Sequence, residues 1–166
     1  MRYAQLSCLL LSILCSCSVP PPSGFVFDGP AEYGTAAEAA IQVWHEAGVA
    51  LSFRLGNEPA ADDEWLIRFD PYEAGAASVY VGATYVDRGL ILLKATVDWY
   101  VGAGTCEGDR FDLQTVVEHE IGHSLGLQHS EGAHDVMYSI LAPCDQRHEL
   151  QPDDLAQLAE LERGSP

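Results

Sequence analysis

The chain has 166 residues, and its 25 acidic against 8 basic side chains give a formal net charge of −17 at pH 7. Phosphate backbones are held by clustered lysine and arginine, and Lys94 is the only lysine, so the composition excludes a nucleic-acid partner bound through a basic face. This length supports one hydrophobic core and not two, and no internal repeat or long linker divides it.

Residues 1–17 read as an export signal, with Arg2 at the start, an apolar stretch over 6–14, and Leu14-Cys15-Ser16-Cys17 after it. The stretch is too short to cross a bilayer, which needs about 20 apolar residues. Its ending resembles a bacterial lipobox, with Leu14 three residues before Cys17 and small Ser16 just ahead of it. Lipid attachment at Cys17 is one reading. The address is then the outer membrane of a Gram-negative envelope, because Ser18 is not the aspartate that signals inner-membrane retention. Ordinary signal cleavage and secretion is the other reading. Residues 18–24 contain Pro20-Pro21-Pro22-Ser23-Gly24, a spacer suited to hold a domain off a membrane, and residues 25–166 are left for the folded domain.

Thr35 precedes the alanine-rich run 36–44, a strong helix with Ile41, Trp44 and Val43 facing inward. His45 on this helix reads as a surface or capping residue and not as a ligand. Strands are expected at 50–55, 65–69, 78–85 and 89–95, separated by Gly, Pro, Asn and Asp turn signals, so the pattern is mixed α/β. The acidic clusters Asp62-Asp63-Glu64 and Glu107-Gly108-Asp109 could hold calcium (Ca2+) or stand as solvated turns. Once Cys8 and Cys15 leave with the signal and Cys17 is set aside for lipid, Cys106 and Cys144 remain. They are expected to form a disulfide, which suits an exported chain; the rival reading is a cysteine metal ligand.

The most informative string is His119-Glu120-Ile121-Gly122-His123-Ser124-Leu125-Gly126-Leu127-Gln128-His129. Two histidines four apart share one helix face, where their rings can converge on one ion. Glu120 projects beside them and can take a proton from metal-bound water. A glycine at 126 permits a sharp turn, so His129 can return to the same metal. Three protein ligands leave a fourth position open, which is the arrangement of a hydrolytic and not a structural zinc (Zn2+).

This motif, followed by Ser130 and by Met137 eight residues after His129, resembles the metzincin zinc endopeptidases and is most similar to their matrixin branch. The resemblance implies an α+β catalytic domain: a twisted, mostly parallel sheet, an N-terminal helix, the zinc helix, a Met-turn and a C-terminal helix. It makes Asp135-Val136-Met137-Tyr138 the Met-turn, an apolar floor under the imidazoles that does not bind metal. Tyr138, adjacent to the methionine, is not counted as a ligand, and His134 is at most a peripheral contact to substrate. Leu150-Gln151-Pro152-Asp153-Asp154-Leu155 opens an amphipathic helix with Leu155, Leu158 and Leu161 on one stripe. In the family a similar aspartate pair hydrogen-bonds the Met-turn region and the mature amino terminus; without the family, carboxylates at a helix start simply suit its dipole.

Two departures from the family pattern matter. No histidine lies between 70 and 94, where matrixins usually hold a structural zinc, so one catalytic zinc is expected. Ser139-Ile140-Leu141 replaces the usual pocket-lining proline and tyrosine, so subsite preference does not carry over. No stretch resembles the cysteine-bearing propeptide of animal matrixins, and latency by that route is not expected. The activity implied is zinc-dependent hydrolysis of peptide bonds in extracellular or envelope proteins. The chain would be a monomer touching membrane only through a lipid anchor, with substrate paired along strand 78–85. The alternatives are an anchored zinc-binding module that recognises a protein without cleaving it, and a zinc hydrolase of small non-peptide substrates.

Overall fold

The computed structural model describes residues 21–70, 80–102 and 104–164; the export signal, Cys17 and the first two residues of the strand expected at 78–85 lie outside them. The sheet begins with β1 (Gly24–Asp28), whose Phe25, Val26 and Phe27 are all buried. The residue pattern predicts no strand here, because an apolar run this short cannot be told from a linker by periodicity. Pairing on both sides, with β2 (Ser52–Leu55) and β3 (Glu64–Asp70), makes it one. Gly24 therefore belongs to the sheet and not to the spacer expected over 18–24. Ser23 is tied down as well, its N–H donating to Asp63 O at 2.9 Å.

α1 (Ala31–Glu46) starts well before the expected 36–44 run. Pro30, with φ −54°, is pre-set for a helix start. Gly34 is tolerated inside the helix because the chain passes close to β2 there; a Cβ at this position would lie 2.9 Å from Leu55 Cδ2. Ile41 and Trp44 are buried, whereas Val43 is half-buried and His45 is exposed.

The five-stranded sheet has the order β2-β1-β3-β5-β4, with β5 at Leu90–Lys94 and β4 at Gly82–Tyr85. β4 is the one antiparallel member and stands at the edge. The register sets Phe25 beside Trp65, Ile67 between Phe27 and Ile91, and Phe69 beside Leu93. Alternate residues share a face, so these rings and branched chains form one apolar surface. That surface shares a single core with Ala37, Ala40 and Trp44 of α1 and with Val116, Val117 and Ile121 of α2 (Leu113–Leu125). Trp44 Nε1 donates to Glu118 O at 3.1 Å and ties the two helices together. Among the described residues, three α-helices with a mostly parallel sheet are the α+β architecture that the resemblance implies.

A two-strand ribbon, β6 (Trp99–Tyr100) with β7 (Phe111–Asp112), leads into α2. Cys106 and Cys144 are disulfide-bonded, with Cα atoms 5.6 Å apart, joining the loop between these strands to the segment after Met137. α3 (Pro152–Gly164) buries Leu158 but leaves Leu155 43% and Leu161 37% exposed, so the expected three-leucine stripe is not the contact face. The helix docks through Asp154 and Leu158 instead. These lie four apart on one face, and the fully buried Asp154 carboxylate takes the place of the apolar contact.

Asp112 caps α2: its Oδ1 accepts Thr115 N–H at 2.8 Å and lies 2.7 Å from His148 Nε2. Burial opposes its charge, but the bonds from His148 and Thr115 outweigh burial and hold the carboxyl below the usual range. A depressed carboxyl contributes stability above its unfolded pKa of about 3.9 and loses it as pH falls through the folded value. Asp112→Asn is therefore expected to lower unfolding stability near pH 7 by about 1 kcal/mol. Urea titrations should show that loss shrinking below about pH 4; a loss independent of pH would contradict the charge-based account.

Candidate metal centre

His119 and His123 lie one turn apart on α2, which ends at Gly126 with φ 105°. Leu127 N–H donates back to Gly122 O at 3.0 Å, closing the helix with a left-handed glycine. The chain then reverses and carries His129 to the other two rings. Ring centroids are 4.7 Å apart for His119 and His123, 5.2 Å for His119 and His129, and 4.8 Å for His123 and His129. Among the described residues, this is the one group of three histidine, cysteine or acidic side chains whose ligating atoms converge, all within 4.8 Å of one another. His45, His134 and Tyr138 are not part of it, and neither cysteine is free to ligate.

The second ring nitrogen of two histidines has a definite partner. His119 Nδ1–H donates to Val136 O at 2.7 Å, and His123 Nδ1–H donates to Leu127 O at 3.0 Å. A carbonyl oxygen only accepts, so each Nδ1 carries the proton and each Nε2 presents a lone pair. Burial, foremost, holds the His119 imidazolium down to about 4 and lowers that of His123, so both rings are neutral at neutral pH. His123 Nε2 and His129 Nε2 lie 3.1 Å apart. Tetrahedral zinc with N ligands at about 2.0–2.1 Å needs donor separations of about 3.3 Å, so the His123–His129 pair already fits that ion, while separations in the trio that reach toward 4.8 Å would have to close around it.

Met137 is fully buried against α2. Gly122 makes room for it: a Cβ there would overlap Met137 Sδ and come within 3.1 Å of Trp44 Cζ2. The turn is held from behind by Asp154, whose Oδ2 accepts Val136 N–H at 3.0 Å and whose Oδ1 accepts Met137 N–H at 3.1 Å. Of the aspartate pair at the start of α3, Asp154 thus bonds the turn, while Asp153 is exposed. Because the same Val136 gives its carbonyl to His119, the turn and the ligand are coupled through one residue.

Glu120 is buried beside the trio, and burial pushes its carboxyl up to about 7 against the lowering bond from Thr84. Glu118, fully buried on another side of the helix, is pushed up to about 9 by burial; Gln114 Nε2 donates to its Oε1 at 2.8 Å, and its Oε2 has no partner. It is a neutral acid at neutral pH. The cleft above the rings, about 650 Å³, is walled by β4 on one side and by Tyr138, Ser139 and Leu141 on the other. Arg147, nearly buried, also lines it. Its guanidinium lies 5.2 Å from the Tyr138 ring centre and donates to Tyr138 O at 3.2 Å and Ile140 O at 2.6 Å. Thr84, Gly122 and Arg147 carry no motif signal and become visible as site residues only through these contacts.

Gly122→Ala is expected to displace Met137 and cost about 1–3 kcal/mol of stability by overpacking, read as a lower thermal midpoint; an unchanged midpoint would mean the floor can shift freely. His129→Ala should lose zinc on dialysis that the unaltered chain retains, measured as zinc per chain, and equal content in both would exclude His129 from the site.

The family model for matrixin peptidases, Peptidase_M10, matches residues 28–162 of this chain. The chain is 30% identical over 103 residues to Metalloendoproteinase 5-MMP of Arabidopsis thaliana, covering 58% of this chain and 28% of that protein. It is 37% identical over 83 residues to Metalloendoproteinase 1-MMP of the same plant, covering 48% of this chain and 22% of the relative. With Metalloendoproteinase 1 of Glycine max it shares 41% identity over 51 residues, 31% of this chain and 17% of the relative. It therefore spans little more than a quarter of the length of the first of these relatives and less of the others. A converging histidine trio, together with a family match from the end of β1 nearly to the end of α3, makes this chain a member of the matrixin family.

Proposed function

We propose that the chain is a zinc-dependent endopeptidase that hydrolyses peptide bonds of proteins outside the cytoplasm, with His119, His123 and His129 as the ligands of one zinc ion and Glu120 as the catalytic base. The observation that carries this reading is a buried carboxylate beside three imidazoles whose ligating atoms converge, all opening on one cleft. A zinc ion held there would supply a Lewis acid that polarises the scissile carbonyl and acidifies the attacking water.

The chain's own residues do the rest. Glu120 accepts the proton of the attacking water and returns it to the leaving amine; a carboxyl near 7 suits both transfers. Carbonyl bonds from Val136 and Leu127 keep the rings of His119 and His123 in one orientation. β4 pairs only with β5 among the described residues and leaves its outer edge to the cleft. An extended peptide can add to that edge as a further strand, its backbone bonds supplying affinity and the cleft pockets supplying preference.

Location outside the cytoplasm, with lipid attachment at Cys17, is part of the same proposal. It is supported by the signal-like pattern of residues 1–17 and by the Cys106–Cys144 disulfide, a bond that persists in oxidising compartments. No helix of the described residues is long and apolar enough to cross a membrane.

Digestion of a broad peptide library by the zinc-loaded chain should give internal cleavages that stop with a chelator and with Glu120→Ala. The Glu120→Ala chain should still hold one zinc per molecule and fall in turnover by roughly 100-fold or more. Full activity of that variant would remove Glu120 from the role of base; no cleavage by a folded, zinc-loaded chain would favour a binding module.

A further inference from the structure

β4 reaches the candidate base directly. Thr84 Oγ1 lies 2.6 Å from Glu120 Oε2 and 2.9 Å from Glu120 O. A hydroxyl has one proton, and the shorter of the two contacts, to the carboxylate, takes it. On the other side of the carboxylate stands Gly82, where a Cβ would lie 2.8 Å from Glu120 Oε1 and 2.8 Å from Val116 Cγ1. Gly82 and Thr84 are two apart on β4, so both face α2. One leaves a slot for the carboxylate and the other holds it there.

We propose that Thr84 is a positioning residue: its hydroxyl fixes the Glu120 carboxylate within the cleft, so the edge strand open to substrate also aims the base. The inference rests on the reading of Glu120 as the base. A carboxylate on a long, rotatable side chain has several staggered arrangements, and α2 alone does not choose among them. Losing the hydroxyl leaves Oε2 buried without a donor and frees the side chain to turn away. Because Thr84 does not touch the ligating atoms, its loss should spare metal binding and slow the chemical step.

The test uses the full chain with Thr84→Val, which keeps the shape and removes the hydroxyl, and Thr84→Ser, which keeps the hydroxyl and removes the methyl. With zinc loaded, Thr84→Val should lower kcat by roughly tenfold or more, leave KM within about twofold and keep one zinc per chain; Thr84→Ser should restore most of the loss. A Val variant with kcat within twofold of the parent, or a Ser variant as slow as Val, overturns the proposal, since packing and not the hydroxyl would then matter. Unfolding of the zinc-free chain gives a readout independent of turnover. Thr84→Val should lower the denaturant midpoint more in the parent than in a Glu120→Ala background, and equal losses in both would show that hydroxyl and carboxylate are not coupled. If the parent cleaves no peptide, the endopeptidase reading fails while this cycle still decides whether Thr84 holds Glu120.

Discussion

Asp154, fully buried at the start of α3, accepts the N–H groups of Val136, Met137 and Gln151, and the geometry of the histidine trio depends on that contact. The segment between His129 and Met137 has no regular structure of its own to hold it. Asp154 fixes the backbone at Val136 and Met137, Val136 O then orients His119, and Ser130 N–H closes on Met137 O at 2.9 Å to bring the His129 end of the loop onto the same turn. A buried carboxylate with three N–H donors is well compensated for its lost hydration. Removing it would leave two backbone donors buried and the ligand loop without its anchor.

Close approach is the second constraint. α2 carries His119 and His123 on one face and must lie near both Met137 and the edge strand. Gly122 admits the Met137 sulfur from below, and Gly82 admits the Glu120 carboxylate from the side. Neither glycine is needed for a positive φ; each is needed because another side chain occupies the space that its Cβ would take. Gly126 differs, since its φ of 105° ends the helix and starts the return to His129.

The acidic character of the chain reaches into the core around α2, where Asp112, Glu118, Glu120 and Asp154 are all buried within or against one helix. Partner supply separates them. Asp112 has His148 and the helix N-terminus, and Asp154 has backbone donors. Glu120 has one hydroxyl, and Glu118 has a single amide and an unsatisfied oxygen. The two with fewest donors are the two whose carboxyls burial drives upward, as the cost of burying charge without hydrogen bonds requires.

Much of the site was legible in local spacing. A period of 3.6 residues puts His119 and His123 on one face, and a glycine three residues later marks the turn toward His129; the nearest-neighbour chemistry of a helix requires no knowledge of the fold. The long helices and the apolar strands β3 and β5 were legible for the same reason. β1 was not, because three apolar residues become a central strand only when β2 and β3 pair with them. The leucine stripe of α3 misled because periodicity shows which residues share a face and not which face docks, and there a carboxylate docks. Thr84, 36 residues before Glu120, and Gly122 against Met137 carry no signature, since each acts through a partner from another segment, and Arg147 carries none because the carbonyls it binds, Tyr138 O and Ile140 O, lie in a loop without a pattern of its own. The sequence by itself thus determined the candidate ligand set, the helix that bears its first two histidines and the chemistry those residue types can perform, because these follow from short-range geometry. Only the tertiary structure decided what holds the ligands and the carboxylate in place, because those contacts form between segments that packing alone brings together.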